Sequence, residues 1–255
     1  MRILAIGDII GNPGRTYLRE NLKAIKEKYN IDFIIANGEN TDGGVGMNPK
    51  CATELFDSGV NAITLGNHTW RKKDIYKVID DNRVVRPINY LEGTKGVGVR
   101  LFICNGKRIA VMNAVGRVYM DPVGNPFVAL KKGIDEIEEK ADIIIVDFHA
   151  EATSEKIAMG YFLDGRVNCV YGTHTHVQTA DEKILPRGTA YITDIGMTGP
   201  RESVIGADRF VVVGIFSTEI QDRMPTAGGE AQFNGIILEV DDETCKTKGI
   251  ERISL

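Results

Sequence analysis

The 255-residue chain has four cysteines, one tryptophan, four histidines and no excess of either charge, its 31 Lys+Arg standing against 35 Asp+Glu. Cys51, Cys104, Cys169 and Cys245 are scattered and form no Cys-x-x-Cys pair. That excludes a zinc ribbon or thioredoxin-type site and speaks against a disulfide scaffold, so free thiols in a reducing cytoplasm are expected. A formal net charge of −4 supplies no field for holding a nucleic-acid backbone, and no polynucleotide partner is expected. Long apolar runs are also missing. Asp8 breaks the N-terminal run too early for a signal peptide, and the longest stretch elsewhere, Phe210 to Phe216, is far below bilayer length. The expectation is a soluble cytoplasmic protein without membrane association. Hydrophobic residues at 43% are enough to fill one large core, so a single domain over 1–255 is expected.

The first third repeats a unit. Arg2–Gly7, Phe33–Ala36 and Ala62–Leu65 are short Ile/Leu-rich runs suited to buried parallel strands. Asn12-Pro13 and Asn48-Pro49 each open a helix, the first running to about Tyr29 and the second closed by Gly59. A third helix is predicted over Arg71–Asp80. Residues roughly 30 apart thus recur in a βαβ rhythm. Further on, Asn105-Gly106 between Val97–Cys104 and Lys107–Val115 predicts a hairpin, because both turn residues tolerate positive φ. Asn125-Pro126 opens a helix to about Lys140, Ile143–Phe148 and Val167–Tyr171 read as buried strands, and a helix starts near Ser154 between them. The remainder reads as mostly β, with a closing hairpin of Gly235–Val240 and Gly249–Ser254. Parallel units followed by antiparallel strands predict an α/β fold with two sheets face to face and helices outside.

Polar clusters sit where these strands end. Asp8 follows the first run, Glu39-Asn40 the second and Asn67-His68 the third, while His149 ends Ile143–Phe148 and His174 and His176 follow Val167–Tyr171. In open parallel sheets the ligand crevice lies outside the carboxyl ends of the strands, so five such clusters converge on one edge. A single histidine here would most simply be a core residue, but all four in the chain fall at strand exits. Imidazoles, carboxylates and amide oxygens together are ligands for metals of borderline hardness. His174-Thr175-His176 would present both rings on one face if extended, and would straddle two ions if it forms a tight loop. Glu39, on the middle strand, is placed to bridge. The orientation of Asp147 is left open, as are substrate contacts by Gly43–Gly46, Trp70, Arg117, Arg187 and the Gly196–Pro200 loop with Arg201.

The set Gly7-Asp8, Gly38-Glu39-Asn40, Gly66-Asn67-His68, His149 and Gly172-Thr173-His174-Thr175-His176 resembles the calcineurin-like metallophosphoesterases, in their YmdB-like bacterial branch. Gly66–Trp70, Asp147–Glu151 and Thr193–Pro200 extend the likeness along the whole chain. Ile10 stands where the superfamily's first motif has histidine, and Glu39 where the bridging aspartate is usual. The resemblance implies a four-layer α/β/β/α sandwich of two mixed sheets holding two metal ions, iron or manganese. One ion would take Asp8, Glu39, Asn40 and His176, with Asn40 completing the site in place of the missing histidine. The other would take Glu39, Asn67, His149 and His174, with His68 as proton donor. It also implies small cyclic nucleotides such as 2′,3′-cyclic AMP as substrates, and leaves a homo-oligomer open.

Two divalent ions, two carboxylates and a bridging hydroxide would leave a net positive cleft suited to a phosphodiester monoanion, with hydroxide attack on phosphorus and His68 protonating the departing oxygen. Other classes fit less well. Gly7, Gly11 and Gly14 have the wrong gaps for a dinucleotide-binding loop, and Arg166-Val167 replaces the Lys-Ser/Thr of a Walker motif after Gly160 and Gly165. No Gly-x-Ser-x-Gly occurs. The alternative of another class is a metal-holding regulatory or scaffold protein with little turnover.

Overall fold

The computed structural model describes residues 1–255. Two six-stranded mixed sheets face each other. The first runs in the spatial order Thr247–Ser254, Asn234–Val240, Arg2–Ile6, Phe33–Asn37, Ala62–Thr64 and Val84–Val85. The second runs Lys183–Ile184, Ala190–Ile192, Cys169–Thr173, Ile143–His149, Lys107–Val115 and Val99–Cys104. Within each, four neighbouring strands run parallel, so the strand ends carrying the polar clusters emerge on the same side.

Three apolar clusters define the layers. Ile3, Ala5, Phe33 and Ile35 of the first sheet meet Ile109, Val111, Ile145 and Tyr171 of the second in the space between them. The opposite face of the first sheet packs under helices α1 (Gly11–Lys28) and α2 (Pro49–Asp57) through Leu18, Leu22 and Leu55. The opposite face of the second packs under α3 (Pro126–Ile137) and α4 (Thr153–Leu163) through Leu130, Ile134 and Met159. Strands buried on both faces read as continuous apolar runs, which is why Phe33–Asn37 and Ile143–His149 were visible in the sequence. The four-layer α/β/β/α sandwich follows directly.

Local signals set the helix starts. Asn48 and Asn125 accept hydrogen bonds from the first free backbone N–H groups of α2 and α3, each followed by proline at the first helical position. The hairpin turn forms as expected, with Asn105 at φ 49° and Gly106 at φ 75°.

One expectation fails. Instead of a helix over Arg71–Asp80 there is one 3-10 turn, Lys73–Lys77, because only Ile75, Val78 and Ile79 reach the core and they span a single turn. The C-terminal third is mostly β, as expected, with one helix inserted. Helix α5, Arg209–Thr218, forms from the apolar run, capped by the Asp208 side chain accepting from Phe210 and Val211 N–H. It buries only Val212 and Ile215, so its sequence lacks the amphipathic contrast that marks a helix. A small third sheet was also not foreseen: Asp8–Ile9 pairs in parallel with Met197–Pro200, which pairs with Ala231–Gln232. No helix is long and apolar enough to cross a membrane.

Candidate metal centre

The clusters meet. Glu39, His149 and His174 bring one donor atom each within 4.8 Å of one another. His149 Nε2 is the focus: Glu39 Oε1 lies 2.9 Å away, Asn67 Oδ1 2.9 Å and His174 Nδ1 3.1 Å. Asp8, Asn40 and His176 adjoin them. His176 Nε2 is 3.7 Å from Asp8 Oδ1 and 3.3 Å from Asn40 Nδ2. Asp8, Glu39 and His149 are buried. Gly66 makes the approach feasible, since a Cβ there would stand 2.4 Å from both Glu39 Oε2 and the His149 ring.

Each imidazole is fixed from behind. His149 Nδ1 faces Thr173 Oγ1 at 2.9 Å, and that hydroxyl donates to Asp147 Oδ1 at 2.6 Å, so the ring N–H points outward. His174 turns Nε2 to the Glu151 carboxylate at 3.2 Å, and His176 donates from Nδ1 to the Ile205 carbonyl at 2.7 Å. The remaining nitrogens of all three rings face the centre, where a cation would take their lone pairs. Outer hydrogen bonds of this kind set the tautomer of metal-binding histidines. His174 and His176 have φ of 94° and 64°, so the His174–His176 segment is a tight loop and not an extended run. Asp8 Oδ2 pins it by accepting from His174 N–H at 3.0 Å.

The charges are coupled. Burial pushes the Glu39 carboxyl up, but His149 and His68 outweigh it and hold the group at about 2. Burial pushes the His149 imidazole down, but Glu39, Asp8 and Asp147 overcome it and raise it to about 9. His174 falls to about 3, chiefly through burial and then through His149. Burial raises Asp8. A single proton on His149 Nε2 can be aimed at only one of the three acceptors around it, whereas a cation satisfies all of them together. This donor set, two carboxylates, the Asn67 amide oxygen and three imidazole nitrogens, fits divalent metal ions.

His68 donates from Nδ1 to Asn40 Oδ1 at 2.7 Å, while its backbone N–H donates to Glu39 Oε2 at 2.8 Å. Its pKa is lowered by burial against the raising effect of Glu39. Asn40 therefore turns its oxygen to His68 and its nitrogen toward Asp8 and His176. Asp147 lies between the sheets, receiving the Thr64 and Thr173 hydroxyls and Asn37 Nδ2, and burial lifts it to about 6.

Sequence reasoning missed one arrangement. Asp194, fully buried, accepts from Lys156 Nζ at 2.7 Å, from Thr175 N–H at 3.2 Å and Oγ1 at 2.6 Å, and from Gly196 N–H at 2.8 Å. It therefore anchors the residue between His174 and His176. Asp194 lies in the Thr193–Pro200 motif, but Lys156, on helix α4, carries no signal in the sequence.

Two cavities flank the centre. The larger, about 770 Å³, is walled by Asn67, Trp70, Arg71, Tyr90 and Asp121. Trp70 packs there against Tyr76 and Tyr90. The smaller, about 400 Å³, includes His68, His176, Gly43, Gly44 and Val45. Arg117, Arg187 and Arg201 wall neither.

Sandwich and site together place the chain among the metallophosphoesterase-type folds. A 5′-nucleotidase structure from Staphylococcus aureus, 14% identical, superposes over 99% of this chain and 54% of that one with a TM-score of 0.59, a likeness of fold alone. The chain belongs to the YmdB-like protein family, whose model matches residues 4–253. It is 48% identical to the 2′,3′-cyclic-nucleotide 2′-phosphodiesterase of Bacillus subtilis (strain 168) over 99% of this chain and 96% of that protein. A crystal structure of a hypothetical protein from Thermus thermophilus, 40% identical, matches with a TM-score of 0.94 over 100% of this chain and 99% of that one.

Proposed function

We propose that the chain, folded as one domain over 1–255, is a dinuclear-metal phosphodiesterase that hydrolyses small phosphodiesters, with 2′,3′-cyclic nucleotides such as 2′,3′-cyclic AMP as substrates. One observation carries this reading: three imidazoles, each with its outer N–H engaged by another group, turn their other nitrogens toward buried Asp8 and Glu39. The activity for which the Bacillus subtilis relative is named supports the substrate class. Asp8, Glu39, Asn40 and His176 would hold one ion, and Glu39, Asn67, His149 and His174 the other, iron or manganese in either site. Bound there, the ions supply the Lewis acidity that makes water nucleophilic at neutral pH and offsets the charge of the phosphate.

The chain's own residues do the rest. Water oxygen bonds to phosphorus and gives its proton to solvent, the P–O2′ bond breaks, and O2′ takes a proton from His68, which regains one from solvent, leaving a nucleoside 3′-phosphate. Nδ1 faces the Asn40 and Glu39 side of the site, which leaves Nε2 for the proton. A pKa lowered by burial makes His68 a stronger acid, while Glu39, with its Oε1 at 3.5 Å from Nδ1, works against that lowering. Asn40 is a ligand in this reading only with its oxygen turned from His68 toward Asp8 and His176.

The experiment is manganese-supported hydrolysis of 2′,3′-cyclic AMP and bis(p-nitrophenyl) phosphate, beside Glu39→Gln and His68→Ala. Glu39→Gln should lose metal and turnover together. His68→Ala should keep its metal and lose about 10²–10⁴-fold in turnover. Full metal loading without hydrolysis of either compound would favour the regulatory or scaffold role instead.

A further inference from the structure

We propose that the smaller cavity beside His68 and His176 is the nucleobase subsite of this enzyme and that Phe216 and Met224 form its recognising wall; the inference rests on the phosphodiesterase reading above. The cavity, about 400 Å³, opens on the two histidines at one end. Away from them its wall holds no Asp, Glu, Lys or Arg, and is made of Val45, Ile205, Val212, Phe216 and Met224. Phe216 is 80% exposed and Met224 57%, a large apolar surface facing water that a planar ring would cover. One hydroxyl in the wall, Thr226 Oγ1, is buried without a hydrogen-bond partner. An apolar pocket with few polar groups, continuous with a charged reaction centre, suits an uncharged heteroaromatic group tethered to a phosphate.

The choice between the two cavities follows from the proton. His68 borders the smaller one and not the larger. The oxygen it protonates is O2′ of the ribose, which stays joined to phosphorus through O3′, so the sugar and its base lie on that side of the phosphate. The larger cavity is lined by the charged pair Arg71 and Asp121, 3.8 Å apart, and its Trp70 is already stacked on Tyr76. Ile205 serves both ends of the smaller cavity: its side chain lines the wall and its carbonyl holds His176. Its φ of 48° is strained for a β-branched residue. Base contact and ring orientation therefore meet in one residue.

The test measures equilibrium binding to the manganese-loaded protein of adenosine 3′-phosphate and of glycerol 2-phosphate, which carries the same monoester and no base. Adenosine 3′-phosphate should bind about ten-fold tighter or more, the scale of a base–aromatic contact. The double variant Phe216→Ala/Met224→Ala, whose changes fall at exposed positions that the fold does not need, should lose most of that ratio, and Trp70→Ala should keep it. A ratio near one in the unaltered protein overturns the subsite. So does a ratio intact in the double variant, or one abolished by Trp70→Ala. Hydrolysis of glycerol 1,2-cyclic phosphate by the unaltered protein reports on the phosphodiesterase reading separately; an adenine-dependent ratio without it would overturn the reaction and keep the subsite.

Discussion

Replacing Lys156 by methionine removes the cation from a pair in which both members are sealed from water, at 1% and 0% side-chain exposure. At 2.7 Å and an effective dielectric of about 20, the gross attraction is roughly 6 kcal/mol, most of which is offset by the desolvation of both groups. The measurable consequence is thus the cost of the orphaned partner. Asp194 would keep three donors, Thr175 N–H, Thr175 Oγ1 and Gly196 N–H, so the loss should fall at the lower end for a broken buried pair, about 3 kcal/mol. Adding Asp194→Asn removes the unpaired charge while keeping the shape, and should restore about 1–2 kcal/mol. Urea unfolding of the metal-free proteins measures both values, and the cycle isolates the coupling. A second readout separates anchoring from mere packing. Asp194 holds Thr175 between His174 and His176, so Asp194→Asn should weaken Mn²⁺ binding about ten-fold, as loss of an outer partner does elsewhere. A single variant costing under about 1 kcal/mol, with a double variant no more stable than it, would refute the reasoning.

Further outcomes follow from the same geometry. Gly66→Ala should displace Glu39 and His149 by crowding and lower the bound metal measured by elemental analysis, with the circular-dichroism spectrum unchanged. Thr173→Val cuts the link between His149 Nδ1 and Asp147, and titration calorimetry should show metal binding weakened about 10–100-fold. Stripping metal with a chelator should lower the thermal midpoint, and re-adding Mn²⁺ should restore it in a concentration-dependent way, because a ligand that binds only the folded state stabilises it by mass action. Leu22→Ala, at a position 1% exposed under the first sheet, should cost about 2–5 kcal/mol in urea and leave metal stoichiometry alone.

The parts legible in the sequence share a physical cause. A strand buried on both faces must be apolar throughout, so Phe33–Asn37 and Ile143–His149 declared themselves, and the polar residues just past their ends stood out against that background. Capping has an equally local cause, which is why Asn48-Pro49 and Asn125-Pro126 marked helix starts within a residue. Helix α5 failed the same test because its outward face is as apolar as its inward one: Phe210, Val213 and Phe216 are all exposed. The strand Met197–Pro200 failed for a different reason. Its pairing with Asp8–Ile9 joins segments nearly two hundred positions apart, and nothing in either segment names the other.

The same division runs through the site. Residues that would touch a metal must be of a few chemical types, so Asp8, Glu39, Asn67 and the histidines were visible as a set before any fold was known. Residues that aim them need only supply one donor or acceptor in the right place, and a threonine, a backbone carbonyl or a lysine stem serves equally well. Thr173, the Ile205 carbonyl and Lys156 do this work here, and none is distinguishable in the sequence from its many equivalents. The aiming residues nevertheless decide the chemistry. If His149 carried its outward proton on Nε2 instead of Nδ1, the nitrogen facing Glu39 and Asn67 would hold a hydrogen and no lone pair for a cation. Thr173 sets the neutral ring the other way, since its own proton is committed to Asp147 and it can only accept from the ring, so a cation need displace only the second proton from Nε2. The capacity to hold metal at this centre therefore depends on a hydroxyl behind the histidine as much as on the histidine itself.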